Sequence, residues 1–319
     1  MKLYLVIPCY NEQEVLSETA KCTAEKLRTL ASDEKISRDS RICFVDDGSK
    51  DDTWNIIERL CASDEIYCGV KLSRNKGHQN ALLAGLMSVK DDCDAAISLD
   101  ADLQDDIDAI DKMVDKYAEG CDVVYGVRSS RKTDKMFKRT TARAFYKIMR
   151  TMGVELVYDH ADYRLMSRRA LDALAEFDEV NLFLRGLVPL IGFKSDVVEY
   201  ERNKRFAGKS KYPLRKMLSF AFEGVTSMSI KPIRMISVLG FFIFLTSIGM
   251  LLYSLIRHFT GNTIEGWTSI VVSVWAIGGL QLLAIGVIGE YIGKIYLETK
   301  RRPKYVVDKL INIDKSGDR

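Results

Sequence analysis

Short apolar runs alternate with stretches of helical periodicity along the front of the chain. The segments "LYLVI" (3–7), "RICFV" (41–45), "IYCGVKL" (66–72), "AAISL" (95–99) and "DVVYGV" (122–127) have the length and apolar density of strands. Between them, residues 12–30, 52–60, 79–89 and 107–117 carry the spacing of helices, and the second opens on Asp51 and Asp52, where capping and the helix dipole favour acids. This alternation predicts an α/β layer around a largely parallel sheet. In such sheets ligands bind beyond the carboxyl ends of the strands. The fourth run ends there in "SLDADLQDD" (98–106), a cluster of acids directly behind a buried strand.

The back of the chain follows a different pattern. Met235 to Ile256 is a run of 22 uncharged residues, and Trp267 to Gly289 a run of 23. At about 1.5 Å per residue each reaches roughly 33 Å, enough for a hydrocarbon core of about 30 Å. Lys231 and Arg234 precede the first run, and Lys294, Lys300, Arg301, Arg302 and Lys304 follow the second, whereas the link 257–266 has only Arg257 as a firm cation. The excess of Lys and Arg places both outer flanks in the cytosol. The expected organisation is a cytosolic catalytic domain over 1–211, an amphipathic juxtamembrane segment over 212–232, a transmembrane hairpin over 233–297 and a basic cytosolic tail over 298–319. Residues 132–150 interleave basic and apolar positions, as suits either an anionic lipid surface or an ordinary surface helix. Gly278, Gly279, Gly286, Gly289 and Gly293 permit close helix contact, within one chain or in a homo-oligomer.

Composition narrows the chemistry. A net charge of +3 is too slight to imply nucleic acid as a partner. The apolar stretch Leu3 to Ile7 is too short for a signal-peptide core and runs into Pro8. All seven cysteines precede residue 122, without CxxC spacing, which suits reduced cytosolic thiols. A Rossmann dinucleotide site would need glycines in the first turn, where Pro8 to Glu12 has none, and no P-loop motif occurs. Asp100 and Asp102, separated by the small Ala101, can both turn toward Mg2+ or Mn2+, leaving positions open for diphosphate oxygens. The same residues also read as a solvated acidic turn capping a helix that starts near Asp105.

The ordered set "VIPCYNE", "VDDGSKDDT", "RNKGHQNALLAG", "LDADLQD", "YGVR", "DYRLMSRRA" and "RFAGKSKY", followed by two apolar spans, resembles the family 2 glycosyltransferases that charge polyprenyl phosphate with a sugar. These are the bactoprenol glucosyltransferases and dolichol-phosphate mannose synthases. The two-span end is similar to the former, which favours UDP-glucose as donor and undecaprenyl phosphate as acceptor. The resemblance implies a GT-A nucleotide-sugar domain. It implies nucleotide contacts from Pro8, Tyr10, Glu12, Val45 and Asp47, and donor contacts from Asp100, Ala101 and Asp102. It further implies metal binding by Asp100, Asp102 and Gln104, phosphate contacts from Arg128, Arg205 and Lys211, and a catalytic role for Asp162. The chain departs from the family at Asp106 and Ile107, where prolines are common, so a less rigid loop is expected. It departs again at Lys76, where an aromatic is frequent and donor-site packing could differ.

Chemistry qualifies the role of Asp162. A phosphate monoester has a second pKa of about 6 and is largely a dianion at neutral pH. Such an acceptor needs a strong base less than a sugar hydroxyl does. Asp162 could accept a proton, orient the acceptor, stabilise oxocarbenium character, or pair with Arg164 or Arg168. Asp159 is the next candidate, and His78 and His160 have no recognisable partner in the sequence. Two rivals stay open: a membrane glycosyltransferase acting on a diacylglycerol or glycan hydroxyl, and a non-catalytic membrane scaffold.

Overall fold

The computed structural model describes residues 1–129, 160–180, 182–201, 226, 229–259 and 267–313. The proposed basic helix over 132–150, most of the 212–232 segment, the link after Phe259, and Asp159, Arg205 and Lys211 lie outside the described residues. The chain divides into two compact units. One comprises Met1–Tyr146, Glu155–Pro213 and Arg302–Arg319, and the other Lys147–Val154 and Leu214–Arg301.

In the first unit the five expected strands all form: β1 (Leu3–Cys9), β2 (Arg41–Asp46), β3 (Tyr67–Leu72), β4 (Ala95–Ser98) and β5 (Val123–Arg128). Three more follow: β6 (His160–Ser167), β7 (Ser195–Tyr200) and β8 (Val307–Ile311). The sheet order is β7-β5-β6-β4-β1-β2-β3-β8. Pairing is parallel for β1 with β2 and β4, β2 with β3, and β5 with β7. By contrast, β6 runs antiparallel to β4 and β5, and β8 antiparallel to β3. The amino end of β6 therefore meets the carboxyl ends of β4 and β5. That reversal carries Asp162 to the edge where the other candidate residues stand.

Strand β1 is buried throughout, and its alternation divides the core. Leu3, Leu5 and Ile7 face one apolar layer with α1 (Leu16–Ser32), α2 (Thr53–Ser63) and α4 (Ala109–Ala118). Tyr4 and Val6 face the other, with α3 (His78–Val89), α5 (Arg168–Ala175) and α6 (Leu184–Leu190). Helix α1 begins four residues later than its periodicity suggests, because Glu12 starts a turn: its carbonyl accepts from Val15 N and Leu16 N, and its own N–H goes to Thr53 Oγ1. Helix α4 begins at Ala109, not 107, after Asp106 Oδ1 accepts the Asp108 N–H at 3.0 Å.

Residues 298–319 were expected to form a basic tail, but they include β8, which completes the sheet edge. Asn312 Nδ2 donates to the carbonyls of Cys61 and Tyr67, both at 2.9 Å, and Lys309 pairs with Glu58 at 2.6 Å. The second unit contains α7 (Lys231–Phe259) and α8 (Trp267–Thr299), which cover both uncharged runs. Among the described residues, Ile277–Thr299 is long and apolar enough to cross a membrane. Lys294 Nζ reaches Thr226 Oγ1 at 2.6 Å, and Tyr291 donates to the Ser229 carbonyl at 2.6 Å. Apart from adjoining residues and the backbone of its own helix, no described atom lies within 4 Å of where a Cβ would sit on Gly278, Gly279, Gly286, Gly289 or Gly293. Packing of the described residues therefore does not explain these glycines.

Candidate active site

Two stitched loops form one side of the site. After β1, Asn11 donates its N–H to Ser49 Oγ at 3.0 Å and accepts the Lys50 N–H at 2.8 Å. The Tyr10 ring stands 43% exposed beside them, while Pro8 is buried in the strand. Gly48 adopts φ +67°, and a Cβ there would lie 2.6 Å from Asn75 N, so only glycine lets the β2 and β3 loops approach this closely. Asp47 exploits the approach: its two carboxylate oxygens accept the N–H groups of Lys76 at 2.6 Å and Gly77 at 2.9 Å. Burial raises its pKa, against the lowering effect of those two bonds. Asp47 thereby fixes the entry to α3, at a Gly77 with φ +87°. Lys76, the departure noted above, enters this clamp through its backbone. Val45 is fully buried and faces α3, so it backs the loop from beneath. Asp46 is also fully buried: Oδ1 accepts from Ser49 N at 3.2 Å, and Oδ2 has no hydrogen-bond partner among the described residues.

The acidic loop after β4 is anchored at several points. The Leu99 N–H reaches the Val6 carbonyl, the Ala101 carbonyl accepts Thr19 Oγ1 at 2.7 Å, and Tyr163 donates to the Asp106 carbonyl at 3.0 Å. Asp105 is buried and takes the Tyr200 hydroxyl at 2.6 Å, so it is no part of a solvated cap. These bonds tether the loop that carries Asp106 and Ile107. Leu103 takes φ 53°, the turn that separates Asp102 from Gln104, whose N–H donates to Asp102 Oδ1 at 3.2 Å. Burial raises the Asp100 pKa; His78 opposes the shift, and the charges of Asp162 and Asp102 add to it. Arg128, at the end of β5, lies 3.9 Å from Asp105 Oδ1; burial disfavours its charge, but Tyr200 and Asp105 outweigh that and raise its pKa.

Asp162 stands across from that loop in a cage of cations. Arg164 Nη2 reaches its Oδ1 at 2.7 Å, and Arg185 grips both oxygens, Nε to Oδ1 at 3.1 Å and Nη2 to Oδ2 at 3.0 Å. His78 Nε2 lies 3.5 Å from Asp162 Oδ2 and 3.7 Å from Asp100 Oδ1. Burial alone would raise the Asp162 pKa, yet Arg185, His78 and Arg164 together hold it well below the usual carboxylate range. For His78, burial acts downward, and the Asp162 bond and Asp100 charge reverse it to a raised pKa. Of the two arginines weighed as partners, Arg164 is engaged, while Arg168 lies 3.6 Å from Asp91 instead.

Sequence reasoning missed Arg185 and set His78 aside. The available signal for Arg185 was a lone cation in the apolar stretch 182–191, "LFLRGLVPLI". Nothing local could pair His78 with a carboxylate 84 positions later, since that contact depends on β6 being inserted between β4 and β5.

A mixed sheet with carboxylates on its carboxyl edge defines a GT-A-like fold. The model for Glycosyl transferase family 2 matches residues 4–175. Uncharacterized glycosyltransferase YkoT of Bacillus subtilis strain 168 is 54% identical over 306 residues, covering 96% of this chain and 91% of that protein. The SfII prophage-derived bactoprenol glucosyl transferase of Shigella flexneri is 40% identical over 314 residues, covering 97% and 98%. The prophage bactoprenol glucosyl transferase homolog of Escherichia coli K12 is 38% identical over 315 residues, covering 97% and 99%. The chain belongs to glycosyl transferase family 2 and is a glycosyltransferase.

Proposed function

We propose that the enzyme transfers a hexose, with UDP-glucose the preferred donor, to polyprenyl phosphate such as undecaprenyl phosphate, with inversion, at the cytoplasmic face of a membrane. Relatives named for bactoprenol glucosyl transfer align with 97% of this chain, the two apolar helices included, which supports a lipid-borne acceptor. The observation that carries the choice of acceptor is the cage around Asp162. A carboxylate held by two guanidinium groups is a weak base. A hydroxyl acceptor needs a base, whereas a phosphate dianion arrives already deprotonated.

The acidic loop fits a divalent cation. Asp100 and Asp102 offer hard oxygen donors two residues apart, and burial, with the neighbouring charges of Asp162 and Asp102 adding to it, raises the Asp100 pKa, an environment in which a bound cation would favour the carboxylate. Asp100 and Asp102, with Gln104 beside them, are the candidates to hold Mg2+ or Mn2+, although no group of three His, Cys, Asp or Glu residues converges among the described residues. When bound, the ion supplies positive charge to the leaving diphosphate. The Tyr10 ring offers an exposed face for a base, and Arg128 a second cation for phosphate oxygens. In the transfer, a lone pair on an acceptor phosphate oxygen forms the new bond to the anomeric carbon. The bond from that carbon to the diphosphate oxygen breaks, and its electron pair leaves with the nucleoside diphosphate.

The test is transfer of labelled sugar to a short-chain prenyl phosphate in vesicles, beside the corresponding prenol and diacylglycerol. Product on the phosphate alone supports the reading; product on either alcohol overturns it.

A further inference from the structure

We propose that Tyr200 is a positioning residue for the donor half of the site: its hydroxyl occupies the Asp105 oxygen nearest Arg128 and so leaves the Arg128 guanidinium group to the departing diphosphate. This inference rests on the donor reading above, in which Arg128 meets phosphate oxygens. It gives a function to a buried side chain that no sequence motif singles out.

Strand pairing brings the residues together. Strands β5 and β7 run parallel, and Arg128 and Tyr200 are register partners at their carboxyl ends. Ser129 closes the junction, donating both its N–H and its hydroxyl to the Tyr200 carbonyl, at 2.9 and 3.1 Å. Tyr200 is only 3% exposed, and its ring meets that of Tyr163 edge to face with centroids 5.2 Å apart. Tyr163 in turn donates to the Asp106 carbonyl at 3.0 Å. This packing fixes the ring, and the fixed ring delivers the hydroxyl to Asp105.

Two donors converge on one oxygen. Tyr200 bonds Asp105 Oδ1 at 2.6 Å, while Arg128 Nη2 stops 3.9 Å away, beyond hydrogen-bond reach. A direct guanidinium–carboxylate bond is about 2.7–2.9 Å long, so Arg128 stands roughly 1 Å short of capture. Its side chain is 28% exposed, and its Nε makes no hydrogen bond among the described residues. A cation in that state is oriented by the nearby carboxylate yet keeps its N–H groups for an incoming anion.

The hydroxyl maintains the separation. Burial and the Asp105 charge raise the Tyr200 pKa, with Arg128 opposing, so the hydroxyl remains a donor at neutral pH. Without it, a carboxylate that is 2% exposed loses a short hydrogen bond, and a movement of Arg128 by about 1 Å replaces it. The guanidinium group is then drawn into an internal pair and away from the diphosphate.

The experiment measures binding of UDP and uridine to the detergent-solubilised full chain by calorimetry in Mn2+, for wild type, Y200F, R128Q and Y200F/R128Q. Phenylalanine keeps the ring and removes only the hydroxyl. Uridine lacks the diphosphate, so its affinity reports the fold and the base-binding loops. Wild type should bind UDP tighter than uridine by about tenfold or more. Y200F should weaken UDP about tenfold, the effect of one lost charge-assisted bond, and keep uridine within about twofold. R128Q should do the same, and adding Y200F to R128Q should change UDP affinity by less than about twofold, because both act on one contact. If wild type shows no preference for UDP, the donor reading itself fails. If wild type discriminates and Y200F or R128Q discriminates equally, or if Y200F weakens uridine as much as UDP, this inference alone is overturned. Additive losses in the double variant overturn it as well, since Tyr200 would then act on the acidic loop and not through Arg128.

Discussion

Two residues in the site owe their importance to what they hold. Asp47 was expected at the nucleotide, yet both of its oxygens accept backbone N–H groups of the β3–α3 loop. Replacing it by alanine removes two charge-assisted bonds to backbone N–H groups of a partly exposed turn, at about 1–3 kcal/mol by the usual net worth of such bonds. Chemical denaturation of D47A should show a loss of that size; an unchanged midpoint would contradict the clamp. Asp162 gives a pH signature. Its folded pKa is depressed below the ordinary 3.8, so its ion pairs contribute fully above about pH 4 and that contribution disappears as pH falls through the depressed value. The thermal midpoint of wild type should exceed that of D162N most at neutral pH, with the gap closing in acid. A gap that stays constant down to pH 2 would show that the charge of Asp162 is not what stabilises the cage.

At the level of elements, the sequence was legible wherever one strand or helix carried its own pattern. The strands β1 to β5 were legible because each is a short apolar run buried within one sheet, and "DADLQD" because a strand end followed by acids is a local feature. Strands β6, β7 and β8 were not. In β7 exposed positions alternate with buried ones at the sheet edge, and in β8 the charged Asp308 and Lys309 interrupt the apolar residues, so neither makes an apolar run. The site followed the same division. Asp100, Asp102 and Asp162 could be named from motifs, whereas Arg185 and His78 acquire roles only through the antiparallel insertion of β6. The β8 edge makes a prediction of its own. Deleting residues 303–319 removes the Asn312 bonds to Cys61 and Tyr67 and the Lys309–Glu58 pair, and it exposes the β3 edge. The shortened enzyme should melt at lower temperature and aggregate sooner; unchanged melting would show that β8 is dispensable.

On the scale of the whole molecule, chain connectivity constrains topology. The segment carrying α7 and α8 leaves the first unit before Leu214 and returns to it at Arg302. If both helices cross the bilayer, an even number of crossings leaves their flanks on one side, in agreement with the Lys and Arg excess there. A cysteine placed at Asn262, in a background lacking the seven natural cysteines, should react with a membrane-impermeant maleimide in intact cells, whereas one at Ser316 should react only after lysis. Equal labelling of both would exclude the hairpin.

In the proposed reaction Asp100 and Asp102 carry a divalent cation that serves a donor diphosphate while a lipid phosphate attacks. Its most direct test is the initial rate of sugar transfer to farnesyl phosphate across a Mn2+ titration, for wild type and the D100A/D102A double variant. Wild type should rise from near zero in chelator to saturation with added metal, and the double variant should stay at least a hundredfold lower at every concentration. Transfer that proceeds undiminished in chelator, or a double variant that turns over like wild type, would contradict the account.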